Sequence, residues 1–341
     1  MSGAVEQTHH TFCRICEALC GLEVTTVDGR IQQIRPDAAH VATDGFSCVK
    51  GLKQFKLYDS PDRLLHPLQR TDSGDYVRAS WDDALAGIGR KVAQLRRDHG
   101  PDSIAMYVGT AAGFGVLHPI FAQGFMDAIG SGSMYSSATQ DCANKFAVAR
   151  HIYGFPFTQP FPDLEHTRCL IVVGANPAVS KWSFLQVSNP VKRLRELERR
   201  GTKLFFVDPR KTESAKAAGE HVFIRPNTDP FFYLAFLHEV LRRDAAAEQR
   251  VAEHMRNFES LRALVEPWSP ERCAEVTKIP AAKLRELVDA YLAADGAALY
   301  SSTGVNMGSH GSLAFWLQEV IKAITGNLDR RGGTLVGRGD R

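Results

Sequence analysis

Three cysteines crowd into eight residues near the N-terminus, Cys13, Cys16 and Cys20, and a fourth follows at Cys48. Four thiolates hold either one tetrahedral zinc or an iron–sulfur cluster. Zinc ribbons present two separated pairs. In the spacing Cys13-x2-Cys16-x3-Cys20-x27-Cys48, three ligands come from one tight loop and one from far away, the arrangement a cubane needs. The spacing favours a [4Fe–4S] cluster, with zinc as the alternative. Lys50 and Gly51 follow almost directly. A lysine there either solvates the cluster or stands between it and a second redox centre, where its charge favours the reduced state. The other cysteines, Cys142, Cys169 and Cys273, are scattered, and a total of seven does not suit a disulfide framework.

A second constellation lies in three loops, each following a strand-like run. They are Gly174-Ala175-Asn176-Pro177-Ala178-Val179-Ser180, Asp208-Pro209-Arg210-Lys211-Thr212, and Arg225-Pro226-Asn227-Thr228-Asp229-Pro230. Ligands of open parallel sheets bind beyond the carboxyl ends of the strands. Glycine lets backbone approach a ligand, and a helix start after Thr228 offers free N–H groups. Arg210 and Lys211 suit phosphate, and Asp208 or Asp229 suits a guanine or ribose donor. One such loop is ordinary turn chemistry. Three at successive strand ends point to a nucleotide-like site. No G-x-G-x-x-G follows a strand and no Walker A sequence occurs, and the glycines of Gly109–Gly115 have the wrong spacing. The chain is therefore not expected to carry an NAD site of its own.

The elements that must position these residues fall into two textures. The first 58 or so residues hold the cysteines and two alternating runs, Leu22–Val27 and Arg30–Ile34, around the hairpin signal Asp28-Gly29. The remainder reads as α/β. Ser80 caps a helix with apolar residues at Leu85, Ile88, Val92 and Leu95, ending at Gly100-Pro101, and a strand follows over Ser103–Gly109. Cys169–Gly174, Lys203–Asp208 and Val222–Ile224 are continuous apolar runs, as in strands buried on both faces of a parallel sheet. Thr228 is expected to cap a helix with Pro230 at its first position. A further helix is expected from near Pro280, a strand near Ala297–Tyr300, and a last helix over Leu313–Ile324.

Composition narrows the function classes. With 41 Lys+Arg against 38 Asp+Glu, a net charge of +3 and a pI near 8.4, the 341-residue chain lacks the concentrated basic face of a nucleic-acid protein. Its basic clusters, such as Arg195–Arg200, are interrupted by acids. No apolar run reaches the length of a membrane span, so no membrane insertion is expected. The polar start Met1–Gln7 has no charged n-region or apolar h-region, which gives a cytoplasmic expectation.

Taken together, these residues resemble the N-terminal part of the molybdopterin-dependent oxidoreductases, the dimethyl sulfoxide reductase superfamily. The likeness rests on the cysteine motif with Lys50-Gly51, on Tyr58–Leu64 leading to Pro67-Leu68, and on Trp81–Leu85. It continues through Gly174–Pro177, Val207–Arg210, Arg225–Asp229 and Thr325–Gly333. The resemblance implies a small N-terminal β module (1–58) holding the cluster on Cys13, Cys16, Cys20 and Cys48. A first α/β domain (59–130 plus 296–341) and an inserted Rossmann-like domain (131–295) with mainly parallel sheets follow. It implies a molybdenum or tungsten bis(molybdopterin guanine dinucleotide) cofactor acting on a small-molecule substrate, with Lys50 relaying electrons between cluster and pterin. Gly174, Asn176, Pro177, Ser180, Asp208, Arg210, Thr212 and Asp229 match segments that hold the pterin nucleotide. An electron-transfer partner is implied as well.

The chain departs from the pattern twice. Many members ligate the metal through a Cys, selenocysteine or Ser on the loop after Asp141. Counting forward puts Ala147 there, and a shifted register puts Ile152; neither binds a metal. Cys142 reads as a small core cysteine rather than a ligand. His151 is a candidate proton carrier, weighed against a plain core or surface histidine. Secondly, family members continue past the Gly-Gly near 333, so a fragment, a truncated product or half of a split enzyme with a separate C-terminal half is expected. A cluster-bearing electron-transfer or assembly subunit without molybdenum, and a non-redox hydratase of the same family, remain the competing readings.

Overall fold

The computed structural model describes residues 4–109, 115, 117–183, 185 and 187–337, which form two compact units, Met1–Ser137 and Ala138–Arg341. Most of the Gly109–Gly115 loop and the last four residues lie outside the described residues. None of the described helices is long and apolar enough to cross a membrane.

The first unit opens with an antiparallel meander of β1 (Glu6–Phe12), β2 (Gly21–Val27) and β3 (Arg30–Pro36). Asp28 and Gly29 join β2 to β3 with φ of 48° and 77°, the doubly left-handed turn that Asp-Gly is suited to. Alternation turns Leu22 and Ile34 inward, where they pack with Cys13 and Cys20. An antiparallel pair, β4 (Leu68–Arg70) with β5 (Tyr76–Arg78), leads to the helix Trp81–His99. The Ser80 hydroxyl caps that helix by accepting from the Asp83 N–H. The expected strand over Ser103–Gly109 shortens to β6 (Met106–Val108), because Pro101–Ser103 forms a 3₁₀ turn in which Ser103 Oγ donates to the Gly100 carbonyl. β6 pairs in parallel with β7 (Met134–Ser136), with the helix Leu117–Ile129 between them in the chain. The apolar stripe of Trp81–His99 is exposed at Trp81, Leu85 and Ile88.

The second unit is built on a parallel sheet in the order β11-β10-β9-β12, from β9 (Cys169–Val173), β10 (Lys203–Val207), β11 (Glu220–Val222) and β12 (Ala297–Ser301). A short antiparallel pair, β8 (Phe161–Pro162) with β13 (Thr334–Leu335), lies in the same unit. Strands β9 and β12 are buried along their whole length, as their unbroken apolar runs require. Cys169, Ile171 and Val173 pack with Phe232, Phe236, Tyr291 and Ile321 in one core. Leu170 and Val172 pack on the opposite face with Trp182, Leu194 and Leu197.

Three expectations are corrected. Residues 296–341 are expected with 59–130, but β12 is hydrogen-bonded to β9 in register Ala297↔Cys169 to Ser301↔Val173, so β12 belongs to the sheet of the second unit. The strand expected at Val222–Ile224 is Glu220–Val222, since the chain then leaves the sheet and the Arg225 N–H donates to the Thr277 carbonyl at 2.8 Å. The helix after Thr228 starts at Asp229, which places Pro230 second, and Thr228 Oγ1 donates to the Arg225 carbonyl at 2.6 Å instead of capping the helix.

Candidate functional site

The loop 13–20 closes the end of the β1–β2 hairpin, with the Cys13 N–H donating to the Cys20 carbonyl at 2.8 Å. Cys13 and Cys20 are buried; Cys16 is half-buried, as is Cys48, which directly precedes the short helix Val49–Lys53. Ile15, Ala18, Phe46, Leu52 and Phe55 line this nest. A Cβ on Gly51 would stand 3.3 Å from Cys13 Sγ and 2.5 Å from Ser47 Oγ, so glycine there lets the helix lie against the sulfur. Burial pushes the Cys13 thiol up, and the like charges of Cys16 and Cys48 add to it, while the Ile15 N–H and the Lys50 ammonium oppose it. The sequence motif is thus brought into one module with Lys50 at its edge. None of the seven cysteines is in a disulfide. Among the described residues no three His, Cys, Asp or Glu side chains stand close enough to hold a single ion.

The second site is a cleft of about 300 Å³ at the carboxyl ends of β9, β10 and β12, at the lower end of small-molecule sites. Gly174, Asn176, Ser180, Asp208, Arg210 and Thr212 line it together with Val179, Ser302 and Thr303. Gly174 has φ of 55°, and a Cβ on it would meet the Val305 nitrogen at 2.8 Å, so only glycine fits this junction of two loops. Asn176 ties the first loop to the second: its amide donates to Glu213 Oε2 at 2.6 Å, and its Oδ1 accepts from the Ser214 hydroxyl at 2.7 Å. Pro177 is buried as the first residue of the helical turn Pro177–Ser180. Thr212 Oγ1 accepts from the Ala215 N–H, and Arg210 forks onto both oxygens of Glu213 at 3.1 and 3.0 Å. The Arg210 and Asn176 hydrogen bonds hold the Glu213 carboxyl down at about 2. Burial raises the Asp208 carboxyl, opposed by the Arg210 N–H.

Asp229 is off the cleft wall. It is 6% exposed, and burial, with the charge of Asp208 adding, raises its carboxyl to about 6. The Ser180 hydroxyl is buried without a hydrogen-bond partner among the described residues, an unmet need beside the cleft that a polar ligand can satisfy. Ser302 and Thr303 were not singled out from the sequence; following β12 to its carboxyl end as the other strands were followed would have found them.

The positions counted forward for a metal ligand do not gather donors. Ala147 and Ile152 are exposed on the helix Ala143–Tyr153, Cys142 is buried just before it, and His151 is exposed on its last turn, not on the cleft wall.

Comparison with known proteins identifies both regions. The Molybdopterin oxidoreductase Fe4S4 domain matches residues 6–59, and the Molybdopterin oxidoreductase family matches residues 63–338. F420-dependent formate dehydrogenase 1 subunit alpha of Methanococcus maripaludis is 23% identical over 324 residues, 95% of this chain and 46% of that protein. Periplasmic nitrate reductase of Desulfovibrio desulfuricans is 27% identical over 345 residues, 94% and 43% of the two chains. Acetylene hydratase of Syntrophotalea acetylenica is 25% identical over 328 residues, again 94% and 43%. The solved acetylene hydratase from Pelobacter acetylenicus superposes with a TM-score of 0.81 at 24% identity, over 96% of this chain and 44% of that one, a likeness of fold. The chain spans somewhat less than half the length of these curated relatives. With a cluster-domain match at its start and a match over most of what remains, the chain belongs to the molybdopterin oxidoreductase family.

Proposed function

We propose that this chain holds a [4Fe–4S] cluster on Cys13, Cys16, Cys20 and Cys48 and the guanine dinucleotide end of a molybdenum or tungsten pterin cofactor in the 174/208/302 cleft. In this reading it serves as the electron-passing N-terminal portion of an oxidoreductase. The observation that carries the reading is that loops from three adjacent strands close on one cleft beside a Ser180 hydroxyl that has no partner among the described residues. When bound, the pterin-held metal supplies two-electron exchange with a small substrate, and the cluster supplies one-electron exchange with a protein partner.

The chain's own residues orient and tune these groups. Gly174 admits close backbone approach, Asn176 and Glu213 lock the first two loops together, and Arg210 keeps a guanidinium at the rim for phosphate. Asp208 accepts from ribose or base donors, with Asp229 behind it as a second acidic group. Lys50 sets a positive charge beside Cys13, which favours the more negative, reduced cluster. The likeness to acetylene hydratase supports a second reading, in which the metal polarises water and the cluster keeps one oxidation state during turnover.

Acid release of bound nucleotide tests the cleft. Protein purified with its cofactor is expected to yield guanine nucleotide. Ser180→Ala is expected to weaken binding of GDP to the cofactor-free chain by about three- to tenfold, the worth of one hydrogen bond. Release of adenine or cytosine nucleotides instead, or undiminished GDP binding by the variant, would contradict this use of the cleft.

A further inference from the structure

The first unit also carries an open groove of about 660 Å³ between the β4–β5 hairpin and the helix Trp81–His99, none of whose lining residues belongs to the two sites above. Register places Leu68 opposite Arg78 and Arg70 opposite Tyr76, so these four side chains share one face of the hairpin. Leu68, Arg70 and Arg78 line the groove from that face. Ala84, Gly87 and Ile88, at helical spacing, line it from the other side together with Arg90. Leu68 and Ile88 are exposed, and the apolar stripe continues along the helix to Leu85 and Trp81.

Gly87 opens the floor of this groove. A Cβ there would meet nothing nearer than the Arg90 guanidinium at 3.9 Å, so no packing among the described residues requires glycine. Glycine weakens a helix interior relative to alanine, and what it supplies here is room for close approach from outside. The guanidiniums of Arg70, Arg78 and Arg90 make no hydrogen bond or ion pair among the described residues. Asp83 is the only acid among the described residues of the wall, and its carboxylate accepts from the Ser80 hydroxyl at 2.6 Å within the helix cap. Asp72, Asp75 and Asp82 are near in sequence but off the wall, and Asp75 is turned onto the Ser73 hydroxyl at 2.9 Å in the hairpin turn. The wall therefore carries a surplus of positive charge around an apolar floor.

We propose that this groove docks an acidic segment of a partner protein, with one apolar side chain seated over Gly87 between Leu68 and Ile88 and carboxylates held by Arg70, Arg78 and Arg90. Charge complementarity selects the occupant: guanidiniums without partners match carboxylates, and the exposed apolar stripe is longer than a small anion covers. Arginine beside an apolar centre is the composition of an interface between proteins rather than of a domain core.

Fluorescence anisotropy of a labelled peptide of alternating glutamate and leucine, titrated with the full chain, tests the groove. Replacing its glutamates by glutamine, or its leucines by glycine, is expected to weaken binding by at least about tenfold. Arg70→Gln, Arg78→Gln and Arg90→Gln are each expected to weaken it by about three- to tenfold, and rising salt to weaken it further. Gly87→Leu is expected to fill the groove and weaken binding by more than about tenfold, while the unfolding midpoint stays level or rises because leucine is the better helix former. No binding of the glutamate peptide, equal binding of the glutamine peptide, or undiminished binding by a folded Gly87→Leu chain would overturn the proposal. So would citrate displacing the peptide at equal concentration, which would make this a small-anion site. Loss of a wild-type dimer in Gly87→Leu would overturn it too, by seating a second copy of the chain there.

Discussion

Glu319→Gln is expected to destabilise the second unit by about 3 kcal/mol, lowering its unfolding midpoint by roughly 6–12 °C. The carboxylate is 2% exposed and takes hydrogen bonds from Lys322 at 2.6 Å, Tyr153 at 2.6 Å and Gln318 at 3.1 Å. The amide keeps the shape and one acceptor but removes the negative charge from a site where Lys322 is 1% exposed. That ammonium must then be buried unpaired or lose its proton, and Tyr153 loses its charged acceptor. Burial, and the charge of Glu319, hold the Tyr153 hydroxyl above its ordinary value, so it remains a donor throughout the usable pH range. The double variant Glu319→Leu with Lys322→Met is expected to recover only part of the loss, because it removes the unpaired ammonium but leaves the Tyr153 hydroxyl and the Gln318 amide without their acceptor and the buried Lys145 without the carboxylate it faces. Thermal unfolding followed by circular dichroism reads both outcomes. A Glu319→Gln protein within about 0.5 kcal/mol of wild type would show that the pair carries no net stability.

Cys13→Ser is expected to abolish the cluster, taking iron from about four per chain to near zero with loss of its broad visible absorbance. Serine oxygen is a harder donor than thiolate and does not match the soft set an iron–sulfur cluster uses. Structure should follow, because the buried apolar core of this module is small: Cys13, Cys20, Leu22 and Ile34. A core of that size gains much of its stability from the bound group. Limited proteolysis is expected to cut the variant within the first 58 residues while leaving the second unit intact. Cys273→Ser, in the core of the second unit, is expected to keep its iron. Iron retained by Cys13→Ser, or lost by Cys273→Ser, would contradict the assignment of the ligands.

What could be read from the sequence follows from how local the cause is. The cysteine loop, the Asp28-Gly29 turn and the Ser80 cap are set by neighbours in the chain, and they appear where the spacing puts them. The parallel sheet was legible because strands buried on both faces show unbroken apolar runs. The place of β12 was not, since its pairing with β9 joins residues more than a hundred positions apart and no local pattern records a partner. For the same reason Ser302 and Thr303 went unmarked while the loops at Gly174 and Asp208 were marked. Thr228 looked like a cap by type, but its hydroxyl found the Arg225 carbonyl first. Lys145 lies in the loop after Asp141 searched only for a metal ligand, and its burial depends on Ser301 and on a helix more than 150 positions away, which no local pattern records.

One chain is expected to carry both an iron–sulfur cluster and a pterin-bound metal. Iron, molybdenum, tungsten and zinc per chain, measured on anaerobically purified protein, test it most directly. About four irons together with molybdenum or tungsten is the predicted result. One zinc without iron would contradict the cluster, and four irons with neither heavier metal would contradict the cofactor assigned to the cleft.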